Sequence, residues 1–98
     1  MLCASDGSSV PASEAARKRF DAVTPPGGNT PFAAPILRAI VRFFETGMLA
    51  AESCRQLGEI GAAAADLGDD ALINAVADEF HENIVGKTPE QLRAWIRA

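Results

Sequence analysis

Few residues in this chain have the type and spacing that chemistry requires. His81-Glu82 opens like the His-Glu-x-x-His zinc helix, in which two histidines one turn apart share a metal. Position 85 is Val, so the second ligand is missing and a lone helical His is left. A Ser-His-Asp or Cys-His device would need the same His81, and nothing in the sequence places Ser or Cys beside it. The carboxylate pairs Asp69/Asp70 and Asp78/Glu79 are adjacent in sequence. On a helix such neighbours point about 100° apart, so neither pair converges on a substrate. Gly27-Gly28 lacks the Lys-Ser/Thr that follows a phosphate loop. Cys3 and Cys54 are too few for a disulfide framework and too far apart for a metal knuckle; they read as two free, partly buried thiols. These patterns imply no catalytic residue, no cofactor and no metal, and the chain is not expected to be an enzyme.

A length of 98 residues bounds the chain to one small domain, residues 1–98. Hydrophobic residues make up 48%, yet 19 of them are Ala, which leaves just enough large side chains for one compact core. Thirteen acidic against nine basic residues give a net charge of −4. No Lys or Arg lies between Arg55 and Lys87, a stretch holding Glu59, Asp66, Asp69, Asp70, Asp78, Glu79 and Glu82. A field of that sign repels phosphate, which argues against nucleic acid as a partner. No apolar run approaches a membrane span and no signal pattern opens the chain, so an intracellular protein without a membrane partner is expected.

The elements that must position any site follow from the local signals. Asp6-Gly7 marks a two-residue hairpin turn between arms Leu2 to Ser5 and Ser8 to Val10. Ser13 caps a helix that starts at Glu14 and runs through AARKRFDAV, its Arg17-Lys18-Arg19 cluster facing solvent. Thr24 to Pro31 is a loop. Pro35 suits the first turn of the next helix, whose Ile36, Leu37, Ile40, Val41, Phe43 and Phe44 form an apolar stripe up to Gly47. A further helix is expected over Leu49 to Asp66, weakened by Gly58 and Gly61 and ended by Gly68. Asp69 or Asp70 caps the following one, with Leu72, Ile73, Val76, Phe80 and Ile84 on one face and Gly86 at its end. Thr88-Pro89-Glu90-Gln91 then combines a cap, a first-turn proline and a capping-box Gln ahead of Leu92, Trp95 and Ile96. A hairpin followed by about five helices is an α+β fold dominated by helix.

Two resemblances bear on function. Leu67-Gly68-Asp69-Asp70-Ala71-Leu72 resembles the DSL segment of acyl carrier proteins, but Ala71 stands at the phosphopantetheine serine and offers no nucleophile. The stretch Leu57 to Arg93 resembles the C-terminal half of the Skp adaptor family, which links F-box proteins to cullins in SCF ubiquitin ligases. Its Gly86-Lys87-Thr88-Pro89-Glu90-Gln91-Leu92-Arg93 is similar to that family's GKTPEEIR signature, and Ser5-Asp6-Gly7 to its SSDG hairpin. The Pro35 helix looks like the one that follows the family's third strand. The resemblance implies a BTB/POZ-like α+β fold, a short N-terminal hairpin or small sheet packed with about five helices.

It also implies a cytoplasmic or nuclear adaptor that binds an F-box-like helix through Ile84, Val85, Pro89, Leu92, Trp95 and Ile96. The sequence departs from the family in three places. The acidic insert is almost absent, and the helix that clasps the F-box would be missing after Ala98. The cullin-facing Asn-Tyr is Ala65-Asp66 here, a small side chain and a charge where an aromatic anchor is expected. An elongin C-like adaptor and a self-associating BTB-like module, forming a homodimer, are the alternatives that the residues leave open.

Overall fold

A computed structural model describes residues 2–21, 23–24 and 28–97. The order of elements is β1 (Leu2–Cys3), β2 (Ser9–Val10), α1 (Glu14–Lys18), α2 (Ala34–Thr46), α3 (Cys54–Leu67), α4 (Asp70–Val85) and α5 (Pro89–Arg97). This is a mostly helical α+β arrangement with one small antiparallel sheet, as expected. Its contacts group into two compact units, Met1–Met48 and Leu49–Ala98.

In the first unit β1 and β2 pair with Leu2 opposite Val10 and Cys3 opposite Ser9. The connecting turn is longer than the expected two residues. Gly7 donates to the Ala4 carbonyl at 2.9 Å, while Ala4 donates to Ser8 at 2.7 Å. Ser5-Asp6-Gly7 is therefore a three-residue loop, and Gly7 takes the positive φ (91°) that its last position demands. Asp6 holds the loop by accepting the Ser8 N–H at 2.9 Å.

Helix α1 ends at Lys18, five residues short of the expected Val23. The chain continues in turns whose N–H groups bond three residues back: Arg19 to Ala16, Phe20 to Arg17, Asp21 to Lys18 and Val23 to Phe20. This tighter winding accompanies the complete burial of Phe20, whose ring meets Phe32 at 6.1 Å and Phe44 at 5.5 Å, both edge-on. Arg17, Lys18 and Arg19 are all exposed, as expected; Lys18 lies near Glu14 at 3.7 Å, and the Arg19 guanidinium stands 4.6 Å from the centre of the Phe44 ring.

Helix α2 buries Ile36, Leu37, Ile40 and Val41 against β2 and α1, and ends at Gly47. Thr30 is the buried polar residue of this unit. Both its N–H and its hydroxyl donate to the Cys3 carbonyl, each at 2.8 Å, so its burial leaves no polar atom unpaired. Pro25 to Gly27, part of the expected loop and of the Gly27-Gly28 pair, lie outside the described residues.

In the second unit α3 starts at Cys54 rather than Leu49. Ser53 is extended and its hydroxyl accepts the Gln56 N–H at 3.1 Å, while the Gln56 side chain accepts the Glu52 N–H at 2.6 Å. That double capping fixes the first turn and outweighs the helix preference of Ala50 and Ala51. Leu57, Ile60, Ala63 and Ala64 are buried, and Gly68, left-handed at φ 66°, closes the helix. Asp69 then caps α4 by accepting the Leu72 N–H at 3.0 Å. Helix α4 packs along α3, and Gly61 permits the approach: a Cβ there would stand 3.2 Å from Val76 Cγ1. Both cysteines are free and half-buried.

Candidate functional site

The expected apolar face of α4 is divided in the structure. Leu72 and Val76 are buried, Phe80 is half-buried, and Ile73 and Ile84 are 38% and 51% exposed. Helix geometry explains the division. At about 100° per residue, Ile73, Ala77 and Ile84 fall within about 40° of one another, while Val76 and Leu72 lie about 80° and 120° to one side. The latter pair are the buried residues of α4. Apolar type alone sets Ile73 on one face with Leu72; its adjacency to Leu72 is the signal that the two cannot face the same way.

Helix α5 starts as its sequence dictates. Thr88 Oγ1 accepts the Gln91 N–H at 3.2 Å, and Gln91 Oε1 accepts the Thr88 N–H at 3.0 Å. This reciprocal box, with Pro89 at the first helical position, sets the direction in which Leu92, Trp95 and Ile96 project. The helix contacts α3, yet none of its residues is buried. Leu92 and Trp95 are half-buried, Pro89 is exposed and Ile96 is 55% exposed.

Trp95 joins the two helices. Its ring meets the Phe80 ring edge-on at 6.0 Å. The Lys87 ammonium stands 5.2 Å from the indole centroid and donates to Asn83 Oδ1 at 2.8 Å. Asn83 in turn donates to the Glu79 carbonyl at 2.7 Å. The indole is thus held by a ring and by a cation that a fixed amide positions, while part of it stays accessible.

Of the six residues expected to bind a partner, Leu92 and Trp95 are half-buried on α5, Pro89 and Ile96 are exposed on the same helix, and Ile84 and Val85, the latter 69% exposed, are exposed at the end of α4. Ala65 and Asp66 are exposed near the end of α3. His81 is exposed on α4, one turn from Val85. No group of three or more His, Cys, Asp or Glu among the described residues is arranged to hold a metal ion. No helix among them is long and apolar enough to cross a membrane. What the second unit offers chemically is contact area, since its uncovered apolar side chains sit on two helices fixed by caps and packing. No family model matches this chain, nor does any curated protein or any solved structure.

Proposed function

We propose that this chain is a non-enzymatic, Skp-like adaptor of a ubiquitin-ligase-type complex, working in the cytoplasm or nucleus, and that α4 and α5 dock an F-box-like helix. The observation that carries this reading is the uncovered apolar face itself. Ile84 and Val85 at the end of α4 and Ile96 on α5 are more than half exposed, and Phe80 and Lys87 hold the half-buried Trp95 in place. An aromatic anchor already immobilised loses little side-chain freedom on binding, which favours its use as the centre of an interface. A helix laid into such a face reads it through residues at i, i+3, i+4 and i+7.

The first unit adds support for a BTB/POZ-like arrangement. The hairpin is followed by a short helix, and residues 28–32 then run beside β1. There Thr30 donates to the Cys3 carbonyl and Ser5 donates to the Phe32 carbonyl, both at 2.8 Å. That segment stands ahead of α2, where the resemblance calls for a third strand. Ala65 and Asp66 present little surface for a cullin, so the partner contact belongs to α4 and α5.

Co-expression with an F-box-containing protein segment tests the proposal. The unaltered chain is expected to stay bound through gel filtration, and the Ile84→Gln/Ile96→Gln double variant to lose the partner with unchanged helical circular dichroism. Retention by the folded double variant, or no complex with the unaltered chain, overturns it.

A further inference from the structure

Along α4 the residues Ile73, Ala77, Phe80 and Ile84 follow one another at intervals of four, three and four. That is the spacing of a coiled-coil seam, and at about 100° per residue the four fall within about 60° of one another. All keep accessible surface: Ile73, Ala77 and Ile84 are exposed, and Phe80 is half-buried against Trp95. The same spacing continues to Asp70, three residues before the first, and to Lys87, three after the last. Asp70 is exposed in the first turn, and Lys87 is held beside the last turn by its bond to Asn83 Oδ1. Asp78, Glu79 and Glu82 stand about 120–160° around the helix from the Ile73/Ala77/Ile84 line. On the side away from the buried Leu72 and Val76 the seam is bordered by Asn74 and His81 instead, neither of them an acid.

The pattern is the same read from either end. A two-fold axis between positions 78 and 79 sets Ile73 opposite the second copy's Ile84, Ala77 opposite its Phe80 and Asp70 opposite its Lys87. We infer that a second copy of this chain occupies the face in the free protein, paired antiparallel through α4. Each end layer then joins two isoleucines, and each central layer sets a phenyl ring over a methyl group, so bulk is matched by space. At both rims a carboxylate meets an ammonium, whereas a parallel pair would oppose like charges at each end. The inference goes beyond the docking role and does not rest on it. The two uses share Ile84, so self-pairing competes with docking. Four layers over about 16 Å bury less than the roughly 1,200 Å² of a stable complex, so the pair is expected to dissociate reversibly between about 10 µM and 1 mM.

Sedimentation equilibrium of the full chain tests the pairing, in reductant so that Cys3 and Cys54 do not link copies. The weight-average mass is expected to rise with concentration from 10.3 kDa towards twice that value. Ala77→Glu, an exposed helical site where the change sets a carboxylate into each central layer, should weaken association by about tenfold or more with unchanged circular dichroism. A carbodiimide, which joins a carboxylate to an amine within contact, reads the direction of pairing. Within one chain Asp70 and Lys87 stand about 25 Å apart along α4, too far to be joined, so a cross-linked peptide containing both reports two copies running in opposite directions. It is expected from the unaltered chain and should be lost in Ala77→Glu. A chain that stays monomeric up to about 1 mM, association that Ala77→Glu leaves unchanged, or a dimer without the Asp70–Lys87 link overturns the inference. Each of these results leaves the docking of an F-box-like helix standing, since the co-expression experiment reads that separately.

Discussion

Trp95 and Ile84 illustrate how two residues on one face call for different experiments. The indole is half-buried and touches Phe80, so Trp95→Ala removes packing inside the protein along with any partner contact. Its expected cost is about 1–2 kcal/mol of folding stability from the lost area and ring pair. Ile84 is 51% exposed, and Gln is a good helix former, so Ile84→Gln should stay within about 0.5 kcal/mol. Denaturant unfolding of the two single variants separates them, and a larger loss at Ile84 than at Trp95 would contradict the packing described. The glycines of α3 give a second contrast. Gly58 has open space where a Cβ would stand, whereas at Gly61 that Cβ would press on Val76 at 3.2 Å. Gly58→Ala is expected to stabilise by about 0.5–1 kcal/mol, and Gly61→Ala to fall short of that because α4 must give way. Equal gains in denaturation midpoint would show that the α3–α4 contact is looser than it stands here.

The element boundaries show which signals a sequence carries by itself. Gly47 and Gly68 end helices where expected, and Thr88-Pro89-Glu90-Gln91 starts one with both hydrogen bonds of its box in place. These are decisions taken within four or five residues. The start of α3 lies later than Leu49 because Ser53 and Gln56 favour a beginning at Cys54 where Ala50 and Ala51 favour helix, and propensity alone does not rank the two. The early end of α1 depends on Phe20 reaching Phe32 and Phe44, contacts far along the chain that no local pattern encodes. On α5 the apolar grouping of Leu92, Trp95 and Ile96 is legible from spacing, while a partner-binding role for them follows only from the resemblance; the outward turn of Ile73 and Ile84, away from Leu72 and Val76, depends on where α3 lies. The hairpin offers a test at this scale. The Ser8 backbone N–H bonded to the Asp6 carboxylate is the chief reason that this acid titrates below the ordinary Asp value, and a weaker attraction from Arg38 adds to it. A depressed pKa in the folded state means that the carboxylate supports the loop above the ordinary Asp value, and that this support is lost as pH falls through the lower, folded-state pKa. Hairpin amide shifts should therefore change in acid below that range in the unaltered chain. In Asp6→Asn, whose amide oxygen can keep the bond to Ser8 without titrating, that acid-dependent change should disappear. Its persistence in the variant would assign it to another carboxylate.

Across the whole molecule, charge and packing are distributed unevenly between the two units. Residues 1–48 carry four acidic and five basic side chains, and 49–98 carry nine and four. The net charge of −4 is therefore a property of the helical second unit. The aromatic side chains divide as unevenly: Phe20, Phe32, Phe43 and Phe44 lie in the first unit, Phe80 and Trp95 in the second. Each unit thus has its own apolar centre, and the segment joining them contributes little to either. Between Gly47 and Ser53 there is no helix or strand, Met48 is 67% exposed, and Ala50 and Glu52 are exposed as well. Domain-like units meet at segments of this kind, where backbone lies outside the hydrogen-bonded elements and a protease can bind it extended. Limited digestion with a protease of broad specificity is expected to cut first between Met48 and Ser53, giving two fragments of nearly equal size by mass spectrometry. The helices resist because a bound protease needs several residues of extended chain, and opening α2 or α3 would expose Leu37, Ile40, Leu57 or Ile60, each now 1% exposed or less. First cuts inside α3 or α4 would instead mean that the second unit opens more readily than its packing implies, and a docking face built on those helices would then lack the rigid support that its proposed role requires.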